Sequence, residues 1–234
     1  MQLKIALLAG DGIGPEVIEQ TVKVCDAIAQ KFNHDIQWMP ALTGAAAIDA
    51  TGEPYPDETH QICVNSDAVL FGAIGHPRFD NNPSAKVRPE QGLLKMREKL
   101  GLFANIRPTF TFPSLIEKSP LKKERIRGTD LVFLRELTGG IYFGEPRGIE
   151  PIENNERKGI NTHTYTTSEI QRVAKVAFDL AKKRKNKVTS CEKSNVMEAG
   201  VLWREEVQAL KDKDYQKIEL SHMLADNCAM QLLR

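Results

Sequence analysis

A chain of 234 residues, 41% of them hydrophobic, is long enough for one large α/β domain or two smaller ones around a true core. With 32 Lys and Arg against 31 Asp and Glu the net charge is +1, so no global field steers it to nucleic acid or an anionic membrane. Any anion it binds is recognised locally.

Residues 3–9 form a short apolar run, too short for a signal peptide, and read as a buried parallel strand. No stretch approaches the ~20 apolar residues of a membrane span, so the expected location is cytoplasmic. Cys25, Cys63, Cys191 and Cys228 lie far apart without a Cys-x-x-Cys pair. That pattern argues against a disulfide framework or zinc knuckle, and the four read as packing residues in a reducing compartment.

Gly10-Asp11-Gly12-Ile13-Gly14-Pro15-Glu16 fails the dinucleotide fingerprint, because Pro15 stands where a glycine is required. It reads instead as a tight turn into a helix, with Pro15 at the first helical position and Glu16 favourable to the helix dipole. Ile18, Val22, Cys25, Ile28 and Phe32 are spaced as one apolar face of that helix. A strand over 36–42, a helical turn over 44–50, a helix over 58–64 and a strand over 68–71 follow. Strands alternating with helices imply a parallel sheet. Residues 72–89, with Gly72, Gly75, Pro77, Pro83 and Pro89, read as a long loop at a strand's C-terminal end, where open α/β sheets take ligands.

In a helix over 91–100, Leu94, Arg97 and Leu100 are spaced by three, which puts Arg97 on or beside the apolar stripe. Arg107 and Arg135 also lie in apolar, strand-like runs. Arginines in such segments are costly unless each meets an anion, and three of them suit a small substrate with two or more carboxylates. The alternative is that each pairs with a nearby Asp or Glu. Residues 134–145 break a strand at Gly139-Gly140, and are either a solvated hairpin or a site.

Residues 151–165 are polar, without helical periodicity, and form either a solvated loop or an arm that pairs with another chain. Thr167 or Ser168 caps a helix bearing Ile170, Val173, Ala177 and Leu180, and its basic end at 182–185 is ordinary for a helix C-terminus. A strand over 187–191, a helix over 196–210 and a strand over 218–223 complete the pattern. Lys193 at a strand end can act as a general base when desolvated near other cations. Asp226, among apolar residues in the sequence, calls for a cation partner, a hard metal being one candidate, or caps a helix.

Gly10-Asp11-Gly12-Ile13-Gly14-Pro15-Glu16, Arg88-Pro89-Glu90-Gln91-Gly92-Leu93-Leu94, the block from Arg135 to Gly148, Glu192-Lys193-Ser194-Asn195 and the segment from His222 to Met230 carry a resemblance over the whole chain. Together they resemble the isocitrate/isopropylmalate dehydrogenase family of β-decarboxylating dehydrogenases. The resemblance implies a two-domain α/β fold with a largely parallel central sheet that is not a Rossmann fold. Residues 1–100 would begin the cofactor-side domain, and 101–234 would form a substrate and dimer domain with an arm over 151–165.

It further implies NAD- and Mg2+- or Mn2+-dependent oxidation and decarboxylation of (2R,3S)-3-isopropylmalate to 4-methyl-2-oxopentanoate, in leucine biosynthesis. A related tartrate or homoisocitrate type of substrate is the alternative. Arg97, Arg107 and Arg135 would hold the substrate carboxylates. Asp226 would bind both metal and substrate. Lys193 would remove the hydroxyl proton, reaching the active site of the other subunit in a homodimer, and Tyr142 would protonate the enolate. Glu90, Leu93 and Leu94 would read the distinguishing group, the leucines suiting an isopropyl rather than a carboxylate. Ile13, Glu90 and Asn195 would face the dinucleotide. Glu192 stands where the family often has Asp, and Leu224 where an aromatic is common. Family members continue into two further metal-binding aspartates, most of the adenine site and the rest of the first domain. The expectation is therefore an incomplete first domain with poor solubility for these 234 residues alone, and either part of a longer, active dehydrogenase or, as the alternative, a catalytically inactive fragment.

Overall fold

The first strand, β1 (Gln2–Gly10), alternates half-buried and exposed positions until Ala6 and Leu8, which are fully buried. It is the centre of the sheet in a computed structural model that describes residues 1–80 and 85–233. Pro83, part of the long loop expected over 72–89, lies outside the described residues. The chain divides into two compact units, Met1–Gly101 and Leu102–Arg234.

In the first unit β1 is followed by α1 (Gly14–Lys31), β2 (Asp35–Pro40), α2 (Ala45–Thr51), α3 (Asp57–Val64), β3 (Ala68–Ala73), α4 (Pro77–Asp80) and α5 (Pro89–Lys99). The sheet order is β2-β1-β3 with all pairs parallel, Ile5 facing Trp38 on one side and Ala68 on the other. Parallel neighbours need crossovers, which the helices provide. The turn after β1 is tight. Gly10 has φ +74°, and a Cβ there would stand 1.9 Å from the Ala73 carbonyl oxygen. Asp11, buried, accepts from the Ala45 and Ala46 amides at 2.8 and 3.1 Å and so caps α2 across the turn. Ala6, Leu8, Tyr55, Cys63 and Met96 form the core.

The apolar face expected of α1 is partly corrected. Ile18 and Ala29 are buried, whereas Ile28 and Phe32 are exposed. Eleven residues make about three turns, so Ala29 falls under Ile18 and Ile28 is rotated away. Phe32 is the C-cap, past the last turn.

The second unit runs β4 (Ala104–Phe110), α6 (Lys123–Ile126), β5 (Asp130–Glu136), β6 (Gly144–Pro151), β7 (Arg157–Thr162), α7 (Thr167–Lys182), β8 (Lys187–Glu192), α8 (Glu198–Asp214), β9 (Glu219–Leu224) and α9 (Ala225–Gln231). β4 and β5 pair antiparallel, as do β6 and β7, while β8 and β9 are parallel. Ile170, Ala174, Phe178, Ala181, Val207, Tyr215 and Ile218 form the core between α7 and α8. The N-cap of α7 is Thr166, rather than Thr167 or Ser168. Glu169 bonds back to the Thr166 amide at 2.8 Å, a reciprocal cap worth about 1 kcal/mol. The Phe178 ring, fully buried, turns the packed stripe away from Ala177 and Leu180, which are only half-buried.

The polar stretch after Gly148 is not a loop. It belongs to the β6–β7 ribbon, a two-stranded sheet of its own that begins at Gly144 and is exposed along nearly its whole length. No helix among the described residues is long and apolar enough to cross a membrane.

Candidate active site

Strand alternation places the first pair of functional side chains. Asn105 stands opposite Arg135 and Arg107 opposite Phe133, and residues opposite or two apart on paired strands share a face. Arg107 and Arg135 are therefore diagonal neighbours on one face of the β4–β5 ribbon. Arg107 Nε donates to the Asn105 side-chain oxygen, which steers its guanidinium. Both arginines are exposed, so the burial penalty inferred from their apolar segments does not apply. Their case rests on convergence: two guanidiniums on one exposed face match a dicarboxylate.

β5 ends in a buried carboxylate. The Glu136 side chain is 1% exposed and accepts from the Thr138 amide at 3.0 Å, the Thr138 hydroxyl at 2.9 Å and the Gly139 amide at 2.7 Å. Arg172, from α7, donates to Glu136 at 3.1 Å and to the Thr138 hydroxyl at 2.6 Å. This clamp folds the chain into the 3-10 turn Gly140–Tyr142. Tyr165 explains the glycine pair there. At Gly140, with φ +72°, a Cβ would lie 2.5 Å from the Tyr165 hydroxyl, and at Gly139 one would lie 2.9 Å from its ring. Burial, followed by the nearby Glu136 carboxylate, pushes the Tyr165 hydroxyl above its ordinary pKa. The turn delivers Tyr142, half exposed, with the Arg135 guanidinium 5.3 Å from its ring centroid. Sequence reasoning misses Glu136 and Arg172. The available signal is a Glu followed at once by Leu-Thr-Gly-Gly, since a carboxylate two or three residues before exposed amides is a natural local acceptor.

Parallel pairing places the second pair. Glu192 stands beside Leu224, so Lys193 and Asp226 leave the C-terminal ends of neighbouring strands, and Nζ meets Oδ1 at 2.6 Å. Asp226 has a cation partner, as expected, but it is 70% exposed rather than enclosed by apolar side chains. The Lys193 hydrogen bond, then Asp226's own backbone, holds the Asp226 carboxyl below the ordinary carboxylate range. Glu192, 2% exposed in its side chain, accepts from the Ser194 amide beside Lys193 and lies 3.6 Å from Arg204. Gly200 lets α8 approach closely, since a Cβ there would stand 2.7 Å from the Lys193 carbonyl carbon.

A depressed carboxylate pKa stabilises the fold above the unfolded-state value, and this contribution disappears as pH falls through the folded value. Lys193→Ala therefore raises the Asp226 pKa toward the ordinary range. Carbon-13 NMR titration of that carboxyl reads it, and an unchanged midpoint would show that the pair does not hold in solution.

The remaining expected residues belong to the first unit, except Asn195 in the second. Arg97 is half-buried in the last turn of α5, and Glu90 is exposed in its first turn. Leu93 packs against the first unit's core, while Leu94 is half-buried. Ile13 is the exposed N-cap of α1, and Asn195 is exposed after β8.

The isocitrate/isopropylmalate dehydrogenase family model matches residues 4–234. The chain belongs to that family. A 3-isopropylmalate dehydrogenase of Pelagibacter ubique is 59% identical over 231 residues, covering 99% of this chain and 62% of the relative. One of Aquifex aeolicus is 50% identical, covering 99% and 63%. Among solved structures, isocitrate dehydrogenase from Methylococcus capsulatus superposes with a TM-score of 0.82 at 27% identity, over 98% of this chain and 62% of that one. The chain thus spans somewhat under two thirds of the relatives it matches. The two-domain α/β fold class expected from the sequence is the family's, and it is not a Rossmann fold.

Family membership implies a nicotinamide dinucleotide and a divalent metal. Mg2+ or Mn2+ prefers about six oxygens, and the described residues hold no cluster of three or more His, Cys, Asp or Glu. Asp226 offers one carboxylate, already engaged by Lys193. These residues do not make a metal centre by themselves. Nor is the turn after β1 an open phosphate cradle, because Gly10 and Gly14 are pressed against the Ala73 and Ala9 backbone and Asp11 is committed to α2.

Proposed function

We propose that this chain supplies carboxylate binding and proton transfer to an enzyme that oxidises and decarboxylates (2R,3S)-3-isopropylmalate, with NAD and Mg2+ or Mn2+, to 4-methyl-2-oxopentanoate. The observation that carries the reading is the shared face of Arg107 and Arg135 with Tyr142 under Arg135. Arg107 and Arg135, joined by Arg97, bind the substrate carboxylates. Tyr142 gives its phenolic proton to the carbon left carrying negative charge once carbon dioxide departs. Lys193 takes the proton of the hydroxyl being oxidised. Its Nζ is held 2.6 Å from Asp226 Oδ1, so Lys193 leaves that pair before acting. Asp226, freed, contacts the substrate and would supply one oxygen ligand to a divalent metal whose other ligands these residues do not provide. Ile13, Glu90 and Asn195 meet the dinucleotide.

Leu94 reads the isopropyl group, more directly than Leu93, whose side chain is spent on the core. The chain works as a cytoplasmic homodimer in which Lys193 serves the neighbouring site. The exposed β6–β7 ribbon, with Ile149 72% exposed, supports a role as the arm that binds the second subunit.

Calorimetric titration with 3-isopropylmalate, isocitrate, homoisocitrate and tartrate tests the substrate. Tightest binding of isopropylmalate supports it, because the third carboxylate of isocitrate or homoisocitrate, or the extra hydroxyl of tartrate, is disfavoured against leucine. Preference for homoisocitrate or tartrate would transfer the reading to that substrate class.

A further inference from the structure

Two of the four cysteines are far apart in sequence and adjacent in space. Cys191 is on β8 and Cys228 on α9, and their sulfurs are 3.0 Å apart with both thiols free. A disulfide bond measures about 2.05 Å, so closure needs a shift of roughly 1 Å, small for a seven-residue helix at the edge of a unit. Both cysteines also line a cavity of about 490 Å3, together with Trp203, Leu232, Lys185 and Lys187. That volume admits a small peptide-sized reagent; Lys187 is paired with Glu219 at 3.1 Å and Arg184 with Asp130 at 2.7 Å, and the further positive charge of Lys185 favours an anionic one.

We propose that Cys191 and Cys228 are a redox dithiol that a low-molecular-weight anionic disulfide, of the glutathione disulfide class, oxidises to an intramolecular disulfide. One cysteine thiolate attacks the reagent's sulfur–sulfur bond, forming a mixed disulfide and expelling one reagent thiolate. The second cysteine thiolate then attacks the protein sulfur of that mixed disulfide and expels the other. The protein loses two protons and two electrons, and one reagent disulfide becomes two thiols. Burial, then the Cys228 contact, pushes the Cys191 thiol up to about 12.

The position gives the bond a consequence. Cys191 precedes Lys193 by two residues, and Cys228 follows Asp226 by two. Closing the disulfide draws α9 onto the end of β8 at the Lys193–Asp226 pair and holds it there. Restraint of the proposed base rests on the function proposed above, whereas disulfide formation does not.

The test is incubation of the 234-residue chain with glutathione disulfide, acid quenching, alkylation, thiol counting by intact mass and peptide mapping. The wild type goes from four thiols to two, with a peptide linking Cys191 to Cys228 and no added glutathione. Cys191→Ser and Cys228→Ser, near-isosteric changes, each stop with one glutathione on the remaining partner. Four surviving thiols, glutathione retained on both cysteines, or a link between chains would overturn the proposal. None of these readouts requires turnover, so absence of catalysis and absence of the disulfide are told apart.

Discussion

Glu136→Ala lowers the stability of the second unit by about 3 kcal/mol in urea unfolding, with an unchanged m-value. The carboxylate is 1% exposed, and its removal strands the Thr138 and Gly139 amides together with the Thr138 hydroxyl. It also leaves Arg172 facing an empty place, with a buried Nε that already has no hydrogen-bond partner among the described residues. Breaking a buried charge pair typically costs about 3–5 kcal/mol, and the lower end applies because the Arg172 side chain is 37% exposed and recovers water. Glu136→Gln keeps one acceptor oxygen and costs about half as much. The turn bearing Tyr142 loosens in parallel, visible as faster amide exchange at Gly139 and Gly140. A loss below about 0.5 kcal/mol would mean that the clamp is not formed in solution.

Arg135→Ala weakens 3-isopropylmalate binding by about 100- to 1000-fold, and Arg135→Lys by about tenfold or more. A guanidinium grips a carboxylate through two parallel hydrogen bonds, which an ammonium cannot reproduce. Arg135 is exposed, so its replacement leaves the fold intact and the melting temperature shifts by little. This separation is diagnostic. Weakened binding without loss of stability assigns Arg135 to the ligand, while Arg135→Lys binding as tightly as wild type would remove it from the site.

Local patterns are legible where one periodicity decides the outcome. The strand before Gly10, the helix that opens at Gly14 with Pro15 one position later than expected, and the β8–α8–β9 crossover follow from apolar spacing and punctuation. Long-range placements are not. Arg107 and Arg135 look buried because their neighbours are apolar, but a two-stranded ribbon exposes one face whatever its composition. The β6–β7 ribbon resembles a loop or arm because neither of its faces carries an alternating apolar row. Lys193 and Asp226 each stand out in the sequence, yet their contact depends on parallel register, which a sequence does not print. Glu136 escapes notice because a lone Glu after an arginine looks like a surface pair until the turn wraps around it.

The β6–β7 ribbon has one further consequence. Two largely exposed strands with no third partner among the described residues are marginally stable in water, so in a lone chain the ribbon's amides exchange with deuterium far sooner than those of α7 or α8. If a second copy lies across it, the same amides become slow, and the slowing scales with protein concentration. The ribbon thus serves as an internal gauge of self-association, read from one hairpin.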